Sequence, residues 1–219
     1  MVPERFVGVW LRRSISINGG PAGEHEDVVW LQTPSTFADL RVPHRPDGSP
    51  VEAFSGTTHW NGTSLHWDHE LDWHGAFADT DEGHITWDGD EMLERGSMTV
   101  RDAAGYRSTV NYEERWTKAR SDGPVVALDG VSSGAIALHV RIGPWALTQC
   151  RGAARFGAQL DRPDAPTVHI GDPQLARVEP GHPAWTWTER VGSSRAVASS
   201  LPVTGVETVS KQQNPRFAP

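Results

Sequence analysis

The stretch Thr57 to Trp73, TTHWNGTSLHWDHELDW, sorts by parity into two chemically different faces. In an extended chain successive side chains point to opposite sides. From Ser64 onward, Leu65, Trp67, His69, Leu71 and Trp73 then share one face, and His66, Asp68, Glu70, Asp72 and His74 share the other. One side is apolar and the other ionisable. A helix would scatter Trp67, Leu71 and the acids around its cylinder, and Asn61-Gly62 just ahead is a hairpin turn signal. The parity predicts that Trp67, His69, Leu71 and Trp73 face an interior, while His66, Asp68 and Glu70 face solvent or another layer. His69 is the one histidine on the aromatic face.

The rest of the chain repeats this grammar. Short alternating runs are read as strands near 5–17, 26–33, 36–42, 50–60, 64–74, 83–88, 91–96, 106–117, 123–129, 134–141 and 144–151. Further strands are read near 154–160, 166–170, 174–179, 184–191 and 203–209. The turn signals NGG (18–20), PDG (46–48), NG (61–62), DG (88–89), SDG (121–123) and DG (129–130) punctuate them. Hardly any segment keeps a 3.6-residue period, so the fold class is all-β, an antiparallel meander closed into a barrel or sandwich. Gly8-Val9-Trp10-Leu11 is weakly echoed by Gly143-Pro144-Trp145-Ala146-Leu147, and the turn-rich SDGP at 121–124 is the natural seam. This divides the chain into a barrel lobe over 1–120, a second lobe or barrel-completing strands over 121–210, and a flexible tail over 211–219. One enlarged barrel is the alternative.

Composition excludes several function classes. With 219 residues and 37% hydrophobic content the chain can bury a full core. It has no apolar run of the ~18 residues that a membrane helix needs. MVPERFVGVW lacks the basic start and apolar stretch of a secretory signal, and a single cysteine, Cys150, suits a reducing cytoplasm. A net charge of −8 without a basic stripe argues against a nucleic-acid partner. Ten tryptophans either fill the core or line a cavity.

One ordered series of segments resembles a known family. VVWLQTPSTFADLRVP (28–43), AFSGTTHW (53–60), WDHELDW (67–73), the 81–96 run ending WDGDEMLERG, YEERW (112–116) and ALHVRIGPWALTQ (137–149) carry it. Together with the Gly-x-Trp of the first strand, they resemble a calycin-like group of bacterial proteins related to a fungal kinase-interacting protein built of lipocalin-like β units. The match covers roughly residues 5 to 150. The resemblance implies an antiparallel calycin or lipocalin-like β-barrel. It carries over no reaction, and the haem-ligating pattern of other calycins is not identifiable here.

Candidate chemistry follows from the strand faces. On 36–42, Phe37, Asp39 and Arg41 share a face, and a carboxylate and guanidinium two residues apart form a pair that either orients a polar ligand group or decorates a surface. On the first strand Phe6, Trp10, Arg12 and Ser14 share a face, so Arg12 lies beneath a ligand or caps the barrel end. Glu94 alternates with Met92, while Tyr112, Glu114 and Trp116 share a face. A carboxyl group flanked by aromatic rings is desolvated, which raises its pKa and suits acid/base work; the alternative is structural glue. His69 and Glu114, if both inward, form an acid/base couple. The face His66, Asp68, Glu70, Asp72, His74 offers metal-ligand types, but its two histidines stand roughly 26 Å apart at ~3.3 Å per residue, and no metal motif is present. No metal and no cofactor are expected.

The leading expectation is a barrel that binds a small apolar or aromatic molecule. Asp39, Arg41, Trp67, Trp73, Glu94, Trp116 and Trp145 are the candidate ligand-binding residues. In its enzymatic form the protein is a cofactor-independent isomerase, cyclase or lyase in which His69, Glu114 and Tyr112 are the catalytic candidates. The competing class is a protein-interaction module without catalysis, with the tryptophans on an exposed patch.

Overall fold

The computed structural model describes residues 1–44, 51–75, 80–101, 106–153 and 155–190. A single 3₁₀ turn, Glu4–Phe6, precedes eight strands: β1 (Gly8–Ile17), β2 (Glu26–Gln32), β3 (Thr36–Pro43), β4 (Glu52–Trp60), β5 (Ser64–Asp72), β6 (Asp81–Asp88), β7 (Glu91–Arg101) and β8 (Arg107–Ala119). Each pairs antiparallel with the next, and β8 returns to β1 to close the barrel. Closure removes exposed sheet edges. Six more strands, β9 (Val125–Ser132), β10 (Ala135–Ile142), β11 (Trp145–Gly152), β12 (Phe156–Arg162), β13 (Ala165–Gly171) and β14 (Thr186–Glu189), form a separate antiparallel sheet in the order β13-β12-β11-β10-β9-β14. The chain is thus all-β, an antiparallel closed barrel plus a second sheet. The second sheet completes nothing in the barrel, which is already shut.

The two sheets share a core because β2 and β3 carry apolar residues on their outer faces as well as on their inner ones. Val29, Leu31, Ala38 and Leu40 point outward from the barrel and pack with Leu138, Val140, Ile142, Leu147, Ala158 and Leu160 of the second sheet. Trp10, Val28, Trp30 and Phe37, at the alternate positions, point inward and pack with Leu65, Trp67, Ile85, Met92 and Trp116. Each such side chain contributes about 1.5–3 kcal/mol when fully buried. Strand β8, with no layer outside it, buries Glu114 and Trp116 and leaves the intervening Glu113, Arg115 and Thr117 partly exposed. The 3₁₀ turn plugs one end of the barrel: Phe6 packs on Trp60 at 4.9 Å and Trp87 at 5.5 Å, and the Arg5 guanidinium lies 3.5 Å from the Trp87 ring centroid.

Several local expectations are corrected. The run 174–179 is not a strand; Asp172 Oδ1 accepts the backbone N–H groups of Gln174 and Leu175, and the chain turns into a 3₁₀ segment, Leu175–Arg177. Asp129-Gly130 is not a turn but lies inside β9, because a Cβ at Gly130 would come within 2.8 Å of the Trp187 ring on β14. Only glycine lets the two strands meet there. The PDG at 46–48, the run 203–209 and the tail 211–219 lie outside the described residues.

The main correction is to the parity of β5. Ser55 pairs with Leu71 and Gly56 with His69, so Glu70 is an extra residue, a β-bulge. Leu65, Trp67 and His69 face the barrel interior. Beyond the bulge the faces exchange: Leu71 and Trp73 join the core shared with the second sheet, where Trp73 meets Phe156 edge-on at 5.3 Å. Asp72, expected on the outer face, turns inward beside His69. A one-residue shift exchanges the faces of everything that follows.

Candidate functional site

The barrel interior divides into an aromatic half and a polar half along each strand. On β1 Trp10 is followed inward by Arg12; on β3 Phe37 by Asp39 and Arg41; on β7 Met92 by Glu94; and on β8 Trp116 is preceded by Glu114 and Tyr112. The aromatic half adjoins the Phe6 plug. The polar half lies toward the opposite end, where Glu26, Glu52 and Asp81 keep 25%, 37% and 26% of their side-chain surface exposed.

Arg12 organises one wall of the polar half. Its guanidinium, 2% exposed, donates to Glu24 Oε2 at 2.8 Å, Glu26 Oε2 at 2.8 Å and Glu114 Oε1 at 2.6 Å. A bulge between Arg12 and Ser14 fixes where β1 leaves this face. Across the barrel interior, Arg41 Nε donates to Asp39 Oδ1 at 3.0 Å, and the Arg41 guanidinium lies 5.0 Å from the Phe54 ring centroid. Phe54 in turn stacks on His69 at 4.6 Å and 9°. His69 is gripped from both ring nitrogens, by Asp72 Oδ2 at 2.8 Å and Asp81 Oδ2 at 2.9 Å. At the rim His74 Nε2 lies 3.6 Å from Glu52 Oε1.

The third wall is built on two glycines. Gly83 and Gly96 pair across β6 and β7; a Cβ at Gly83 would lie 2.6 Å from Glu94 Cγ, and one at Gly96 would lie 2.5 Å from the Tyr112 hydroxyl oxygen. Their missing side chains leave the space in which Tyr112 donates to Glu94 Oε1 at 2.8 Å. In the aromatic half, Trp10 Nε1 donates to Phe6 O at 2.8 Å, whereas the buried indole N–H groups of Trp30 and Trp116 have no hydrogen-bond partner among the described residues.

The second sheet braces these strands from outside. Gln149 Nε2 of β11 donates to the backbone oxygens of Asp39 at 2.8 Å and Phe54 at 3.1 Å. Arg151 Nη2 donates to the backbone oxygen of Asp72. The backbones that carry Asp39, Phe54 and Asp72 are therefore tied to a second rigid layer, as a preorganised site requires.

Burial and pairing push these groups in different directions. Burial, reinforced by the neighbouring Glu114 charge, raises Glu94 well above the usual carboxylate range, and the Tyr112 hydrogen bond only partly opposes this. Burial likewise lifts Asp39 to about 6 against the pull of Arg41. For His69 burial alone would lower the pKa, but the hydrogen bonds to Asp72 and Asp81 outweigh it and hold the imidazole near 9, so it is a cation at neutral pH. Burial and the neighbouring acidic groups raise Tyr112, which stays a hydroxyl donor. The site thus combines a carboxyl group pushed toward its protonated form, fixed cations and several carboxylates in one interior.

Glu94→Gln tests this shift. The folded protein holds the Glu94 proton above the pH at which the unfolded chain releases it, so its stabilising effect is complete below about pH 4.5 and declines as pH rises. Glutamine keeps an acceptor for Tyr112 and has no proton to lose. The variant is therefore expected to melt above the wild type at pH 8 and at about the same temperature at pH 4, read by circular dichroism.

Of the residues singled out in the sequence, Asp39, Arg41, Trp67, His69, Glu94, Tyr112, Glu114 and Trp116 lie on the inner face of the barrel. Trp73 and Trp145 do not. Both sit in the core between barrel and second sheet, Trp73 because of the β5 bulge and Trp145 because it opens β11, with its Nε1 donating to Arg120 O at 3.2 Å. Glu24, Glu26, Glu52, Asp72, Asp81 and His74 join the polar half without having been singled out. Alternation across β6 and β4 carried the signal for Asp81 and Glu52; for Asp72 the unseen bulge hid it. Among the described residues no group of three or more His, Cys, Asp or Glu is arranged to hold a metal ion, and no helix is long and apolar enough to cross a membrane.

Comparison with solved structures finds an uncharacterized protein of Saccharomyces cerevisiae, 16% identical, with a TM-score of 0.56 over 74% of this chain and 84% of that one. At that identity the likeness concerns the fold alone. No curated protein sequence matches. The match to the family described as Protein HRI1 runs from residue 8 to residue 207, well past the segment that carried the resemblance in the sequence, and takes in the barrel and the second sheet together. The chain belongs to the HRI1 family.

Proposed function

We propose that the protein binds a small organic molecule in the polar half of its barrel. The apolar or aromatic part of that molecule lies against the tryptophan-lined wall, and its polar group is held by the Arg41–Asp39, Tyr112–Glu94 and Arg12–Glu114 pairs. The single observation that carries this reading is the buried ionic network itself. Replacing a buried ion pair by well-packed apolar residues is often neutral or stabilising. A barrel that needed only stability would be filled like its own aromatic half. Fixed donors and acceptors converging in a barrel interior suit recognition.

In the enzymatic form of this reading, a cofactor-independent isomerase, cyclase or lyase, Glu94 supplies the proton, because burial favours the protonated form of its carboxyl and Tyr112 fixes its orientation. His69 is protonated and so fits a donor or a fixed cation, not a base. Glu114 is the carboxylate facing Glu94. We assign the binding lobe to residues 1–120 and a second lobe to 121–210, whose described strands β9–β14 brace it. A cytoplasmic setting fits Cys150, buried with its thiol pushed up to about 12 and hence unreactive.

Thermal unfolding across a panel of aromatic, terpenoid and fatty compounds tests the reading. A ligand at 100 times its Kd stabilises by about 2.7 kcal/mol, which for a chain of this size raises the midpoint by roughly 5–10 °C. A panel that leaves the midpoint unchanged throughout would overturn it. The alternative, a protein-interaction module without catalysis, would then take its place.

A further inference from the structure

We infer that the molecule held in the polar half is an organic cation, a protonated amine on an apolar or aromatic body. This rests on the binding role proposed above and specifies the ligand class of the same site.

Two acceptors carry the inference. Asp39 and Glu114 are 4% and 3% exposed and point inward from β3 and β8. Each engages one carboxyl oxygen with the protein: Asp39 Oδ1 takes the Arg41 N–H and Glu114 Oε1 the Arg12 N–H. The second oxygen of each has no hydrogen-bond partner among the described residues. Neither is sealed off as a fully enclosed unpaired atom, so each stays open to a donor. An ammonium group offers three donors and no acceptor, which is the complement of such a set. A bare divalent ion is the poorer fit, since no group of three such side chains among the described residues has metal-holding geometry.

Charge and aromatic surface point the same way. Each cation of the polar half already has its carboxylate: Arg12 has three, His69 has two and Arg41 has Asp39. An anionic ligand would meet carboxylates with no spare cation opposite it. A cationic one would be attracted, and the barrel interior already holds one cation on an aromatic face, the Arg41 guanidinium over Phe54.

A near-isosteric trio tests this on the full chain by isothermal titration calorimetry at pH 7 and low salt: phenethylamine, 2-phenylethanol and phenylacetate. The amine is expected to bind at one site at least tenfold more tightly than the alcohol, with no detectable heat from phenylacetate. Asp39→Asn, with its melting profile checked against the wild type, is expected to weaken the amine at least tenfold, and an unchanged amine affinity in the folded variant would overturn the assignment. Equal or tighter binding of the alcohol or the anion would overturn the cationic assignment while leaving the binding site standing. Absence of binding by all three, together with an unresponsive ligand panel, would remove the site as well.

Discussion

Arg12→Met is expected to be the most destabilising single substitution in the polar half, with a loss of about 3–5 kcal/mol. The side chains are close in volume, so the loss is electrostatic. Glu24, Glu26 and Glu114 converge on one guanidinium at 2.6–2.8 Å, and Glu114 is itself 3% exposed. Methionine would leave a buried carboxylate with Arg41 Nη1 at 3.9 Å as its remaining cation. Arg12→Lys should recover little, because an ammonium cannot present the planar fork that reaches three carboxylates at once. Urea denaturation checks this, with the midpoint falling and the slope unchanged. A second substitution, Glu114→Gln in the Arg12→Met background, should restore part of the loss, because it removes the stranded charge. A drop under about 1 kcal/mol for Arg12→Met would mean that the network is solvated and not buried.

His69→Phe follows with a loss on the order of 3 kcal/mol at pH 6. Phenylalanine preserves the stacking on Phe54 but strands Asp72 and Asp81, whose carboxylates the imidazolium bridges at 2.8 and 2.9 Å. The substitution also has a pH signature. The folded protein holds the His69 pKa near 9 against 6.5 for the free side chain, so its stabilising contribution is fully present below about pH 6.5 and is lost as pH rises through 9. The gap between wild type and variant should therefore narrow above pH 9. A gap that is constant across pH 6–10 would place the effect in packing, not in charge.

The fold was legible because its signals are local. Turn glycines such as Gly62 and Gly89, with φ of 106° and 61°, and two-residue alternation within each run mark most strands to within a residue or two. The inner faces of β1, β3, β7 and β8 could be read the same way, which is why Asp39, Arg41, Glu94, Tyr112 and Glu114 were found together. What parity could not supply is where a strand breaks its own period. The bulge at Glu70 sends Leu71 and Trp73 outward and Asp72 inward, and no residue in HWDHELDW announces it. Trp145 was misplaced for a different reason. A tryptophan at the start of an apolar strand reads the same whether its layer is a barrel wall or a sheet packed against that wall, since both are buried. The partners of His69 and Arg12 come from strands and loops distant in sequence, so charge pairing there is a consequence of closure and not of any motif.

The central claim, that a small molecule occupies the polar half beside the tryptophan wall, is tested most directly by the indole N–H signals of a ¹H–¹⁵N correlation spectrum recorded with and without each compound of the ligand panel, phenethylamine included. The indoles of Trp30 and Trp116 are buried in the barrel with no hydrogen-bond partner among the described residues, and those of Trp145 and Trp185 belong to the second sheet and its flank. Saturable shifts of the Trp30, Trp67 and Trp116 signals, with Trp145 and Trp185 unmoved, are the result expected. Shifts confined to Trp145 and Trp185, or none at any concentration, would contradict it.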